Sequence, residues 1–463
     1  MLSTSNRQKT LSVFGLAMIN VVAIDSLRNL PTEAVFGISI ISFYFIAALF
    51  FLLPCVLLTA ELATHYPKTG GSYVWVREAF GKKWGFFNIW LQWVYNVVWY
   101  PTILSFVAAS IAYLIDPPLA SNKTYMICMI IGMFSFATLI NCFGMKLSSF
   151  VSTIGAIVGT LVPMLFIIIL ATFWWAFGKP TALTFNTSDI LPNLNNWQDF
   201  ALFGTVIFSV MGIEMSSVHA GDVKNPKRDY PLALILSSVL IVVSSILATL
   251  SIAIVLPKNQ LSIVSGMNQA FKYFLNNFHL GWLEPIAILT MITGGFCGMA
   301  TWVIGPTKGL MVAAEDGCAP KIFGKTNRYG APTAMLIAQW GVVLLLCTAY
   351  ALFPTVTSAY WILADLTTQL ALVFYILLFL AAIKLHLNLP EKIGSFKIPG
   401  GKLGGYVVGG VGILTASITI LLGFIPPETV KVGSVWSYEL TLIIGMLIFA
   451  LPPLFIARNT PMQ

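Results

Sequence analysis

The chain has 463 residues, 58% of them hydrophobic and only 9% charged, with a formal net charge of +8. Soluble domains carry about 25% charged residues, so a soluble enzyme or binding module is excluded. Repeated runs of roughly 20 apolar residues, each able to cross about 30 Å of hydrocarbon, describe a polytopic helical membrane protein instead.

Twelve apolar spans follow in order, near residues 11–35, 38–63, 85–115, 124–143, 149–178, 199–219, 231–256, 282–307, 332–353, 356–383, 404–425 and 437–457. They predict an all-α membrane protein with twelve transmembrane helices in one domain, 1–463. With the N-terminus inside, the outward loops hold Lys123, Lys179, Lys258, Lys272 and Lys431; Arg28 apart, the other nineteen of the 25 Lys and Arg residues face inward. That bias over short loops is the positive-inside rule. It predicts cytoplasmic termini in a cytoplasmic (inner) membrane. The basic balance is a topology signal and not a partner; the lipid bilayer is expected around the chain and nucleic acid is not.

The first apolar run follows the basic stretch "MLSTSNRQKT", as in a signal peptide, but it is too long and has no small-residue cleavage site, so it reads as a retained helix. Within it, "NVVAIDSLRNLPTEAVFG" (Asn20 to Gly37) sets Asp25 and Arg28 in an otherwise apolar segment with Pro31 behind them. In span six, "FSVMGIEMSS" (Phe208 to Ser217) is broken in the same way by Gly212 and Glu214. The two interruptions hold corresponding positions in successive five-helix blocks, about 11–178 and about 199–383, with the last two spans, about 404–457, outside. An odd number of spans inverts the second block relative to the first. Paired interruptions of this kind predict a 5+5 inverted-repeat transporter with broken helices one and six and a site at the midplane.

The breaks carry their own chemistry. Unwinding a helix in lipid frees N–H and C=O groups that need partners, and a cavity with a polar ligand supplies them. The half-helix N-terminus suits a carboxylate and the freed carbonyls suit an ammonium group. Together they describe a receptor for a zwitterion, and an amino acid is the natural substrate.

Little else in the chain carries chemistry. The six cysteines form no C-x-x-C pair and read as small hydrophobes, and the four histidines lie near span ends without ligand spacing. No metal and no cofactor are expected. "GSFKIPGGKLGG" (Gly394 to Gly405) lacks the spacing of a phosphate loop and reads as an inner loop entering span eleven. With no G-x-S-x-G or H-E-x-x-H present, no catalytic residue is expected and an enzyme is not predicted. Gly294 with Gly298, and Gly405 with Gly409, are spaced for close helix packing.

Three long segments resemble signatures of the amino acid–polyamine–organocation (APC) superfamily. They are "AELATHYPKTGGSYVWVREAFGKKWGF" (Ala60 to Phe86), "MGIEMSSVHAGDVKNPKRDYPLA" (Met211 to Ala233) and "GPTKGLMVAAEDGCAPKIFGKTNRYGAPTAML" (Gly305 to Leu336). "FKIPGGK" (Phe396 to Lys402), "ILTASITILLGFIPP" (Ile413 to Pro427) and "TWVIGP" (Thr301 to Pro306) are most similar to the glutamate–GABA antiporter branch, and "AGDVKNPKRDYP" to the arginine–agmatine antiporter. The resemblance implies a leucine-transporter-type fold that moves amino acids by alternating access, with substrate held between broken helices one and six, and by likeness to the antiporters a homodimer. The chain also departs from the family. Many members carry Gly-Ser-Gly where this chain has Ile24-Asp25-Ser26, and the glutamate–GABA branch has an acidic residue where this chain has Gly298. That branch also carries a long C-terminal tail, and neither glutamate specificity nor acid gating by a tail is expected here.

The expected substrate site comprises Ile24, Asp25, Ser26 and Arg28 at the first break and Phe208, Ser209, Met211 and Gly212 at the second. Arg28 or the nearby helix end would meet a carboxylate and Asp25 an amine; alternatively the two form an i, i+3 ion pair that locks the break. Phe208 aligns with an aromatic of the arginine–agmatine antiporter that could close over substrate, or it is packing. Ser26 and Ser209 donate hydroxyls to substrate or bond their own helix. Glu214 is a candidate for proton coupling or for contact with the substrate amine, or a buried glutamate held by a neighbouring helix. Asp365, one turn from Gln369 on span ten, is a substrate-specific or gate contact, for instance to a cationic side chain, or a bond to an adjacent helix. Span five has no lysine past Lys146, where some proton-coupled relatives carry one, and this favours exchange. Amino acid antiport is the expected function; a proton-coupled symporter and a non-transporting amino acid sensor are the alternatives.

Overall fold

A computed structural model describes residues 12–66, 71–143, 155, 157–184, 186–192, 200–219, 223–388 and 395–456. Lys146, the beginning of the first predicted span and both chain termini lie outside them. The helices run α1 (Val13–Ile24), α2 (Leu30–Ala34), α3 (Gly37–His65), α4 (Ser72–Phe80), α5 (Lys82–Ile115), α6 (Lys123–Cys142), α7 (Ile157–Ala176) and α8 (Phe203–Ser209). They continue with α9 (Pro226–Val255), α10 (Gly266–Asn277), α11 (Gly281–Glu315), α12 (Thr333–Leu352), α13 (Val356–Asn388), α14 (Gly401–Gly423) and α15 (Val435–Ile456). No β-strand occurs among the described residues, and ten helices (α3, α5, α6, α7, α9 and α11 to α15) are long and apolar enough to cross a membrane. Two shorter apolar helices, α1 and Phe203–Ser217, complete the set. They carry the two interruptions.

Large apolar side chains cover the periphery, among them Trp436 at 82% and Leu352 at 80% exposure. Water would penalise such a surface and lipid does not. This is an integral, multi-pass membrane protein. At its centre α5 packs against α11 and α13, and α1 packs against α9. The middle of α5 is therefore largely buried within the protein.

Prolines inside the helices show how freed backbone groups are met. Pro54 offers no amide to the carbonyl of Phe50, where α3 widens into a π-turn (Ala48–Leu52), and Thr415 Oγ1 of α14 donates to that carbonyl over 3.0 Å. Pro306 likewise frees the carbonyl of Trp302, which accepts from the Tyr100 hydroxyl of α5 at 3.1 Å. The second of these bonds fixes α11 against α5 beside the site.

Glycines set the closest approaches. A Cβ at Gly159 would lie 2.1 Å from the Gly294 nitrogen, so α7 and α11 touch backbone to backbone. Gly405 and Gly409 admit His386 and Ile383 of α13 against α14. Gly298 differs from its partner Gly294: a Cβ there would meet nothing within 4 Å. It faces open space.

Two polar clamps join helix ends on the side of α11's C-terminus and the α3–α4 turn. Tyr73 and Arg77 of α4 both donate to the Asp316 carboxylate just past α11, the tyrosine at 2.7 Å. Burial raises the Asp316 carboxyl, but hydrogen bonds from Tyr73 and Arg77 and the charges of Arg77 and Lys82 outweigh it and hold the group below its ordinary value. In the second clamp, Glu61 of α3 pairs with His386 of α13 at 2.8 Å and accepts from the Ile398 amide at 2.9 Å, while His386 Nε2 lies 2.8 Å from the Gly401 carbonyl.

Candidate functional site

Both interruptions end a helix abruptly. The last amide to return to α1 is that of Asp25, 2.8 Å from the Val21 carbonyl, and α2 begins afresh at Leu30 with Pro31 in its first turn. After α8, Gly212 takes φ +114°, a conformation that strains any residue with a Cβ, before the 3-10 turn Ile213–His219. A Cβ at Gly212 would lie 3.4 Å from both Ile24 and Trp302. The bare backbone of the second break thus lets the first break and α11 approach.

Between the breaks lies a cavity of about 300 Å³, walled by Ile24, Asp25, Ser26 and Arg28 from the first and Phe208, Met211 and Gly212 from the second. Small-molecule sites start at about this size. Tyr95, Asn96 and Trp99 of α5 and Gly298, Met299 and Trp302 of α11 complete its centre. Trp302 Nε1 donates to the Ala23 carbonyl at 3.2 Å, taking one of the carbonyls left free at the end of α1.

Arg28 and Asp25 diverge. Arg28, 3% exposed, donates from one terminal nitrogen to Thr102 Oγ1 of α5 at 2.8 Å. Its guanidinium lies 5.5 Å from the ring centre of Phe208 and 5.7 Å from that of Tyr360, within cation–π range. Its Nε has no hydrogen-bond partner. Asp25, 6% exposed, accepts from Ser244 at 3.1 Å and Ser245 at 3.3 Å on α9. The two side chains leave the break toward different helices, and the ion pairs among the described residues do not include the i, i+3 pair that their spacing allows.

Three of the expected residues stand off the cavity wall. Ser209 points behind it, donating to Glu33 Oε1 at 2.5 Å and accepting from Asn29 Nδ2 at 2.6 Å. Glu214 accepts from the Tyr375 hydroxyl of α13 at 2.6 Å, and that hydroxyl accepts from the Gly212 amide at 2.7 Å; the second oxygen of Glu214 has no partner. Asp365 accepts from the Tyr438 hydroxyl of α15 at 2.8 Å. It also lines a separate crevice of about 10 Å³, room for about one water, together with Arg28, Phe208 and Tyr360. Arg28 and Phe208 are the layer between the two spaces.

Sequence reasoning missed Glu33. It is 0% exposed and also accepts from Tyr44 of α3 at 2.8 Å and Thr249 of α9 at 3.2 Å. The signal was available, since Glu33 is a third charge in the same apolar run as Asp25 and Arg28 and intramembrane charges are functional candidates by default. Trp302 and Trp99 gave no such signal, because aromatic residues on apolar helices are commonplace. No cluster of His, Cys, Asp and Glu able to hold a metal occurs among the described residues.

Fold and site together define a multi-pass membrane protein with an internal cavity bounded by two interrupted helices. The family model described as amino acid permease matches residues 9–449, and the chain belongs to that family, within the APC superfamily. It is a transporter rather than an enzyme, and amino acid transport is the function the family defines. The chain is 46% identical to an uncharacterised transporter of Legionella pneumophila over 98% of both proteins. It is 27% identical to a glutamate/gamma-aminobutyrate antiporter of Lactococcus lactis, covering 97% of this chain and 90% of that one. It is 25% identical to a probable agmatine/putrescine antiporter of the same species, covering 99% and 97%.

Proposed function

We propose that this chain is a secondary transporter that exchanges amino acids, or an amino acid for an amine, across the cytoplasmic membrane by alternating access. One observation carries the proposal: the two interruptions, far apart in sequence, wall the same cavity. Arg28 would receive the substrate carboxylate and Asp25 its amine, with Ile24, Ser26, Met211 and Gly212 shaping the space and Phe208 closing over it. Ser209 acts from behind through Asn29 and Glu33, and Asp365 anchors the far side of the Arg28 layer to α15.

The same proposal treats α1 with α2 as one interrupted span and Phe203–Ser217 as another, so that the ten long helices bring the total to twelve. Blocks 11–178 and 199–383 form the inverted repeat, 404–457 the two added helices, and both termini are cytoplasmic. In that orientation the cavity faces the cytoplasm along Gly15, Met18 and Val22 of α1. Arg28, Phe208 and Tyr360 close its outer side.

The test is uptake of a panel of labelled amino acids into proteoliposomes, empty or preloaded with amino acids and amines. Flux that requires an internal counter-substrate supports exchange. Flux into empty vesicles under a pH gradient supports the second reading, a proton-coupled symporter, which Glu214 favours as a buried carboxylate tied to the second break with one oxygen unpartnered. Binding without flux in either format is the outcome expected of a sensor. The homodimer carried over from the antiporters is tested by cross-linking in the membrane.

A further inference from the structure

Asp25 and Arg28 are the only charged side chains among the described residues lining the cavity. The hydrogen-bond partners of each are neutral, two serine hydroxyls for Asp25 and Thr102 for Arg28, and Arg28 Nε is unpartnered although the residue is 3% exposed. Glu33 acts on Arg28 through its charge, but its oxygens are taken by Ser209, Tyr44 and Thr249. A buried charge needs an opposite charge or several hydrogen bonds. An amino acid zwitterion brings one of each sign, and with it both protein charges are matched. A further charge on the substrate side chain would find no counterpart in this wall.

Most of the rest of the wall is apolar, and its polar groups, such as Ser26, Tyr95 and Asn96, are neutral. Met18 and Val22 lie one turn apart on α1, Ile103 and Phe106 stand on α5, and Met299 and Trp302 on α11. Gly298 widens the space between them, because a Cβ there meets nothing within 4 Å. Apolar surface of this kind gains by burying apolar substrate surface and gives nothing to a polar one.

We infer that the substrate is a net-neutral amino acid with a bulky apolar side chain, of leucine to phenylalanine size, rather than an acidic or basic one. The inference rests on the cavity being the transport site. It separates this chain from glutamate, agmatine and putrescine, the compounds of net charge in the names of the two Lactococcus relatives.

The experiment uses the full-length protein in proteoliposomes preloaded with a mixture of unlabelled amino acids and amines. Uptake is compared for labelled leucine, phenylalanine, alanine, glutamate, arginine and agmatine. Leucine or phenylalanine should exceed glutamate, arginine and agmatine in kcat/KM by at least about tenfold, the discrimination that a missing counter-charge or unfilled apolar surface readily produces. A preference for glutamate, arginine or agmatine overturns the substrate class and leaves the transport proposal intact. A preference for alanine overturns the size. Absence of flux for every compound, from protein that elutes as a folded species, overturns the transport proposal and this inference with it. Gly298→Leu should raise KM for phenylalanine about tenfold more than for alanine by filling the open space. Equal shifts for the two substrates count against the inference, and Gly298→Ala, read in the same assay with a smaller expected split, serves if the leucine variant does not fold.

Discussion

Ser209 Oγ donates to Glu33 Oε1 across 2.5 Å, joining residues 176 positions apart in sequence. The bond ties the two interrupted helices together directly behind the cavity, and Asn29 extends it by donating to Ser209. Each break leaves polar groups that lipid cannot satisfy. Here a glutamate from one interrupted segment serves the serine of the other.

Glu33→Ala would leave the Ser209, Tyr44 and Thr249 hydroxyls without this acceptor, and each orphaned buried donor costs about 1–3 kcal/mol. The variant should melt well below the wild type in detergent, and below Ser209→Ala. Because the two residues share one bond, the double substitution should cost less than the sum of the single ones. Strictly additive melting shifts would show that the contact couples nothing.

Arg28→Ala should weaken binding of the substrate identified by uptake by roughly tenfold to a hundredfold, since a hydrogen bond to a charged group is worth about 1.5–3 kcal/mol. Arg28→Lys should not restore it. An ammonium cannot contact Thr102 while also presenting a planar face to Phe208 and Tyr360. Titration calorimetry reads both variants, and an unchanged Kd for Arg28→Ala would confine the residue to scaffolding.

Glu214→Gln separates the two coupling modes. In a proton-coupled carrier it should abolish acceleration by an inward pH gradient while counterflow between loaded vesicles survives. Tyr375→Phe, which removes the hydroxyl bridging Glu214 to the Gly212 amide, should weaken both. If Glu214→Gln kept the wild-type pH profile, the residue would have no part in proton movement.

His386→Leu should destabilise by about 3–5 kcal/mol, because it leaves the Glu61 carboxylate buried with the Ile398 amide as its remaining donor. The double substitution Glu61→Leu with His386→Leu should recover part of that loss. Hydrogen exchange over residues 395–401 reports it directly. Equal protection in the single and double variants would count against the clamp.

Asp316 predicts a pH dependence. Its carboxyl titrates below the ordinary 3.8, so its contribution is complete above 3.8 and is lost as pH falls through the lower folded value. Asp316→Asn should therefore lower the melting temperature at neutral pH, by an amount matching about 1 kcal/mol or less for a partly exposed pair. The gap from wild type should narrow only below about pH 3.8. A gap that closed between pH 5 and 7 would assign the effect to another group.

Much of the architecture is legible in the sequence, for a local reason. Whether a segment enters lipid depends on its own 20 or so residues, and a charge within such a segment is conspicuous wherever it later points. The apolar runs, the interruptions at Asp25–Arg28 and Gly212–Glu214, and the family signatures all belong to this kind of information. Each is read within a single stretch of chain.

Tertiary structure alone decided who meets whom. Asp25 and Arg28 have the spacing of an ion pair, yet α9 claims one and α5 the other. Ser209 and Glu214 lie beside the second break, yet Glu33 and Tyr375 draw them off the cavity wall, and Asp365 reaches α15. Met18, Phe106 and Met299 share a wall although nothing in their sequence neighbourhoods marks them. Hydropathy and charge are properties of a segment, and they suffice to specify a membrane protein with two interrupted helices. The partners of each polar group depend on how helices remote in sequence pack, and only the packed helices show which side chains face the cavity.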